Sequence, residues 1–395
     1  MDSLSLTRIQ LRSLVVFRKI LADPVMARLG TLLDATPSDT AACVDCYCDF
    51  ASALLARNDD FSSYLLNLVL EDENIYVQQC CEKHSPSPIL AECLQHELAF
   101  LQELSAFDGS ALRNSLHFSG FLPKWNTSPL DFASSYQKRI ADIRTRGYGI
   151  FAQYHMFTVK DARLIPVRHP DSQMLAQLPG YEREREKIIA NTEALLRGQP
   201  ANNVLLYGDA GTGKSSTVKA IANAFREQGL RLVEVKKNQL YQIPDITEKI
   251  SHNPLKFIIF IDDLSFSSND NDFAALKAIL EGSVNGNCGN FVVYATSNRR
   301  HLIKENWDDR TGSDLHEGDT RQELMSLSAR FGLTVTFFRP DKERYLSIVH
   351  TLARQYGIDI PWEQLDIRAE AHATRSGGRT PRAAKQFIEL TKAGI

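Results

Sequence analysis

Between Gly208 and Ser215 the chain reads Gly-Asp-Ala-Gly-Thr-Gly-Lys-Ser, a spacing of glycines, lysine and hydroxyl that suits the binding of a phosphate. Glycines let successive backbone N–H groups curl around an anion, Lys214 brings a point charge toward terminal phosphates, and the Ser215 hydroxyl is a ligand for Mg2+. The flanks agree with that chemistry. Val204, Leu205 and Leu206 read as a buried strand, while Val218, Ile221, Ala222 and Phe225 recur at helical spacing. The loop therefore opens a helix, whose dipole adds to the anion site. On this reading the whole run Gly208, Asp209, Ala210, Gly211, Thr212, Gly213, Lys214, Ser215 and Ser216 cradles phosphate.

Two further places carry polar groups at strand tips. Phe257-Ile258-Ile259-Phe260-Ile261 is an unbroken apolar run followed by Asp262 and Asp263, which puts two carboxylates where α/β sheets bind ligands and looks like a Walker B motif. Asp262 then holds Mg2+, largely through water, and Asp263 orients and polarises an attacking water. The alternative is that these aspartates only cap a following helix. The strand Phe291-Val292-Val293-Tyr294-Ala295 leads to Thr296-Ser297-Asn298, and Asn298 is placed to bond a terminal phosphate or the water; otherwise it is a turn-forming residue before Arg299 and Arg300.

The elements that must position these groups follow from pattern. A helix from about Tyr181 to Arg197 precedes the first strand and ends at Gly198 and Pro200. Leu230 to Val235 alternates as a strand, and Thr334 to Phe338 reads as another. Strands separated by helical stretches predict a doubly wound parallel α/β layer over 172–340, with a small helical lid over 341–395. Residues 1–120 read as a mostly helical domain, and 121–171, richer in Pro, Gly and aromatics, as a connector.

Composition bounds the rest. A chain of 395 residues with net charge −3, 43% hydrophobic and 24% charged has no global basic excess pointing to nucleic acid. Without an apolar stretch of membrane or signal-peptide length, a cytoplasmic protein with no membrane partner is expected. Seven cysteines, six of them between Cys43 and Cys93, argue against a disulfide framework. Cys43-x-x-Cys46-x-Cys48, Cys80-Cys81 and Cys93-x-x-His96 resemble metal-ligand spacing, yet Cys43 to Cys48 sits before an apolar helical run, where free cysteine is a common small core residue. The acidic stretch Lys304 to Arg321 reads as an exposed insertion rather than a metal cluster.

Taken together, the phosphate loop, Asp262-Asp263, the Asn298 strand, Ser328-Ala329-Arg330-Phe331-Gly332 and a helical lid resemble the AAA+ ATPases, and more narrowly an uncharacterised bacterial AAA+ family of unknown biological role. The resemblance implies a P-loop NTPase that binds ATP with Mg2+, with Gly180 and Tyr181 beside the adenine. It implies an arginine finger at Arg330 that reaches the γ-phosphate of a neighbouring subunit, hence a homo-oligomer. In Gly377-Gly378-Arg379-Thr380-Pro381-Arg382 it implies a sensor at Arg382, with Arg379 as the fallback. Each arginine has the plainer reading of a solvated surface charge. The family pattern often ends Walker B in Asp-Glu, and the shorter Asp263 puts fast hydrolysis in question. A slow nucleotide-gated switch is thus the second reading, and a P-loop small-molecule kinase, for which no acceptor pocket is legible, the third. The client, protein or nucleic acid, is not written in the sequence. Arg299-Arg300-His301 and Lys236-Lys237 are small basic clusters without a stacking array, and residues 1–120 are assigned to a partner only by exclusion.

Overall fold

The structure, a computed structural model, describes residues 3–35, 39–81, 85–115, 118–264, 276–277, 279–280, 289–298 and 330–395. The basic cluster at 299–301, the acidic stretch 304–321, Cys288 and Ser328-Ala329 lie outside the described residues. The chain divides into two compact units, Met1–Gln153 and Tyr154–Ile395.

The first unit is helical. Its helices Pro24–Asp34, Thr40–Leu55, Phe61–Glu71, Pro88–Ser105 and Phe132–Ala141 each begin at a side chain that accepts otherwise unpaired N–H groups, namely Asp23, Asp39, Asp60, Ser87 and Asp131. Their apolar faces meet around Phe17, Tyr47, Phe50, Phe61 and Trp125, with the rings of Phe50 and Trp125 packed edge to face at 5.0 Å. Where the chain turns between helices, the buried Glu97 carboxylate accepts the backbone N–H groups of Val15, Val16 and Phe17, supplying partners that regular structure does not.

The second unit holds a seven-stranded sheet in the order β2-β1-β4-β5-β6-β3-β7. The strands are β1 (Met156–Lys160), β2 (Arg163–Pro166), β3 (Val204–Gly208), β4 (Leu230–Val235), β5 (Lys256–Ile261), β6 (Phe291–Ser297) and β7 (Leu333–Phe337). All neighbours are parallel except the hairpin β1–β2. The five strands read from apolar runs are present. The hairpin was not anticipated, and it redraws the expected connector: Trp125, Phe132 and Tyr136 are buried in the helical unit's core, whereas Met156 to Pro166 extends the sheet. β2 is a short edge strand with half-exposed faces ending in Pro166, so it lacks the apolar run that marks the central strands.

Parallel registry brings the carboxyl ends of three strands level. Tyr207 pairs with Ser297 across β3 and β6, and Ile261 pairs with Ala295 across β5 and β6. Helix Glu182–Leu196 packs on this sheet partly through polar groups: the buried Tyr294 hydroxyl is bonded by Asn191 Nδ2 at 3.1 Å and lies 2.8 Å from Thr192 Oγ1. Helices Lys342–Tyr356, Trp362–Arg375 and Pro381–Lys392 form the lid, and Ile348, Leu352, Ala384 and Phe387 join the core that also contains Val204 and Leu206. Among the described residues no helix is long and apolar enough to cross a membrane.

Candidate nucleotide site

The loop after β3 depends on Gly208. Its φ of 139° belongs to a region that L side chains rarely adopt. A Cβ there would stand 2.1 Å from the Phe337 carbonyl oxygen. That close approach lets the Asp209 N–H bond the same oxygen, at 3.1 Å. The Asp209 carboxylate accepts the Arg339 N–H at 2.8 Å. From Ala210 to Ser216 the chain lines a cleft of about 440 Å³, and helix Lys214–Ala224 starts at its floor.

Lys214 is buried, and its Nζ donates to the carbonyls of Gly208 and Asp209, both at 2.8 Å, and to Asn298 Oδ1 at 3.0 Å. Burial pushes its pKa down, against the opposing pull of the carboxylates of Asp209, Asp262 and Asp263. Asn298 in turn donates from Nδ2 to Asp263 Oδ1 at 2.8 Å. The Ser215 hydroxyl donates to Asp262 Oδ1 at 2.6 Å. The Thr296 hydroxyl, bonded to Asp262 Oδ1 and to the Asp263 N–H, joins these two sets, so that the tips of β3, β5 and β6 deliver one connected polar network on the floor of the cleft.

The opposite wall is the lid. The Arg382 N–H donates to the Gly211 carbonyl at 3.1 Å, and its side chain lines the cleft with Lys385 one turn further on. Arg379 faces elsewhere: its Nη2 pairs with Glu370 Oε2 at 2.6 Å and its Nε with Glu370 Oε1 at 2.9 Å. The two arginines left open by the sequence are thus separated by geometry, with Arg382 at the phosphate loop. Arg330 stands half-buried before β7 and is not among the residues lining this cleft.

Gly180 and Tyr181 are not brought to the cleft. Tyr181 is 1% exposed, stacks on Phe337 at 5.2 Å, donates its hydroxyl to the Phe338 carbonyl and lies under the Arg344 guanidinium at 4.2 Å. A large ring with a satisfied hydroxyl is a core residue here, and Gly180 borders a separate shallow groove. From that same segment it is Leu178 and Pro179 that line the cleft, together with Gln173, Gln177 and Leu352, which carry no signal in the sequence. Thr296 was also passed over, although β alternation puts residues 296 and 298 on one face. Lys385, at i+3 from Arg382, had a comparable helical signal.

The donor set fits both partners that the sequence implied. Consecutive loop N–H groups at a helix start, with Lys214, suit a polyphosphate, and a hydroxyl beside a carboxylate suits Mg2+. Among the described residues no group of three or more His, Cys, Asp or Glu is gathered for a metal by itself. A cation here would be held jointly with the phosphates, as is usual for Mg2+.

This mostly parallel sheet, its phosphate loop, the paired aspartates, the Asn-tipped strand and the helical lid define a P-loop fold of the AAA+ class. The chain belongs to the family described as "Protein of unknown function (DUF815)", which matches residues 151–394. It is 28% identical over 221 residues to the Holliday junction branch migration complex subunit RuvB of Solibacter usitatus, covering 55% of this chain and 59% of that protein. It is 32% identical over 115 residues to the replication factor C large subunit of Staphylothermus marinus, covering 27% of this chain and 26% of that protein. The chain thus spans less than two thirds of these relatives. Similar solved structures include the Thermotoga maritima RuvB Holliday junction branch migration motor, at 18% identity and TM-score 0.38, covering 56% of this chain and 64% of that one. AMPPCP-bound DnaA from Aquifex aeolicus has 18% identity and TM-score 0.40, covering 57% and 66%.

Proposed function

We propose that this protein is an AAA+ ATPase that binds ATP with Mg2+ between the phosphate loop and the lid and hydrolyses it slowly, in the cytoplasm, to drive or gate the remodelling of a client. The observation that carries this reading is the convergence, at three strand tips, of two hydrogen-bonded sets, Lys214–Asn298–Asp263 and Ser215–Asp262, which the Thr296 hydroxyl joins. Loop N–H groups from Ala210 to Ser216 take the phosphates, and Lys214 exchanges its carbonyl partners for phosphate oxygens. Ser215 and Asp262 would hold Mg2+, which when bound would neutralise charge on the terminal phosphates. Asp263 orients the water that attacks the γ-phosphorus and takes its proton as the bond to ADP breaks. Asn298 steadies that carboxylate, and Arg382 reaches the phosphates from the lid.

Arg330, outside this cleft, serves the site of a neighbouring copy in a homo-oligomer. A slow switch is the second reading, favoured by the Asp262-Asp263 ending, whose second carboxylate is one methylene shorter than glutamate. The similarity to a protein named for Holliday junction branch migration makes branched DNA the first client to test.

Steady-state ATPase rates across protein concentration decide between these readings. The ATPase reading expects specific activity that rises with assembly, a loss of about 100-fold or more in Asp263→Asn, and no rise with concentration in Arg330→Ala. Equal rates for Asp263→Asn and the parent sink the role given to Asp263. ATP binding with near-zero turnover at every concentration selects the switch.

A further inference from the structure

We infer that Thr296 is a positioning residue of this site. Its hydroxyl fixes the turn that follows β5, and the left-handed backbone which that turn imposes at residue 263 selects aspartate over glutamate there. The inference rests on the nucleotide-hydrolysing reading above and specifies how its two carboxylates are aimed.

Thr296 is 2% exposed, near the end of β6, and is β-branched, so its χ1 is stiff. A hydroxyl offers one proton and two lone pairs. The proton goes to Asp262 Oδ1 at 2.6 Å, and a lone pair takes the Asp263 N–H at 2.9 Å. The Thr296 main-chain oxygen accepts the Leu264 N–H at 2.7 Å. One residue of the neighbouring strand therefore holds three consecutive residues after β5. Because the Ser215 hydroxyl reaches the same Asp262 oxygen at 2.6 Å, that carboxylate is gripped from two sides by charge-assisted bonds.

Held in this way, Asp263 has φ 52°. Asp and Asn are enriched several-fold in that region because a short polar side chain bonds locally, and longer side chains lack that compensation. The short side chain is used: Asp263 Oδ1 meets Asn298 Nδ2 at 2.8 Å, while the other end of the Asn298 amide is tied to Lys214 at 3.0 Å. A glutamate would carry its carboxylate about 1.5 Å further out, one C–C bond, and Asn298 is not free to follow. The Asp-Asp ending is thus matched to this turn.

The test uses the full chain as parent, Thr296→Val, Thr296→Ser and Asp263→Glu. Affinity for a fluorescent ATP analogue is measured with and without Mg2+, beside turnover over a Mg2+ series. Thr296→Val is expected to keep the Mg2+-free affinity within about twofold while losing about 10- to 100-fold in Mg2+-dependent affinity or turnover, the usual effect of removing a group that orients a metal ligand. Thr296→Ser, which retains the hydroxyl, recovers most of that loss. Asp263→Glu is slower than the parent and leaves Thr296 intact, so it probes the same turn even where the valine chain does not fold. Parent-like Mg2+ dependence and turnover in Thr296→Val overturn the positioning role, and a glutamate chain faster than the parent overturns the selection of aspartate. A parent that binds no nucleotide overturns the underlying reading instead, a distinct result.

Discussion

All three glycines of the phosphate loop have positive φ values, yet the structure assigns Gly208 and Gly213 unequal costs. At Gly208, φ is 139° and an added Cβ meets the Phe337 carbonyl oxygen at 2.1 Å and its carbon at 2.6 Å. Both atoms are backbone of β7, the strand paired with β3, so neither can swing aside. At Gly213, φ is 91° and nothing lies within 4 Å of the added Cβ. Gly213→Ala therefore bears conformational strain alone, about 1–2 kcal/mol. Gly208→Ala adds to a similar strain the forced shift of a packed neighbour, about 1–3 kcal/mol, and weakens the Asp209 N–H bond to Phe337, about 1 kcal/mol. The sum is about 3–6 kcal/mol for Gly208→Ala. For a unit of this size each kcal/mol moves the midpoint by about 2–4 °C, so a fall of about 6–24 °C is expected for Gly208→Ala against about 2–8 °C for Gly213→Ala. Differential scanning calorimetry on the two variants beside the parent measures this. Equal midpoints, or Gly213→Ala as the less stable chain, would refute the claim that contact with β7 makes Gly208 indispensable.

Other outcomes follow from the same geometry. Arg382→Ala is expected to lower nucleotide affinity or turnover about tenfold, whereas Arg379→Ala, which removes a half-buried pair with Glu370 away from the cleft, leaves both near the parent in a paired ATPase and binding assay. In the helical unit, burial raises the Asp72 carboxyl pKa to about 6, and its Oδ2 has no hydrogen-bond partner. A carboxyl raised on folding favours the fold while protonated, so this contribution is present below about pH 4 and is lost as pH rises through 6. Asp72→Asn should remove that loss and gain about 1–2 kcal/mol at pH 7, a figure reduced for the group's partial exposure, as read by urea unfolding at pH 5 and pH 7. A variant whose stability keeps the parent's pH slope contradicts the assignment.

The sequence by itself determined what is contiguous. Gly208 to Ser216, the apolar runs of β3, β5 and β6, and Asp262-Asp263 at a strand end are local patterns, because glycine freedom, strand burial and phosphate chemistry act on neighbouring residues. The central sheet and the identity of the loop were legible from these alone. The hairpin β1–β2 was not, since a half-exposed edge strand has no distinctive period. Only the tertiary structure decided matters that depend on which face meets which. Periodicity marks Tyr181 as apolar but does not say that Phe337 and Arg344 enclose it away from the cleft. In the sequence Arg382 is preferred over Arg379 only by resemblance, whereas in the structure Glu370 takes Arg379 and the backbone bond to Gly211 sets Arg382 beside the loop. Thr296 became legible as a functional residue only when parallel registry laid β6 beside β5, because a hydroxyl shows its partners only after the strands are paired.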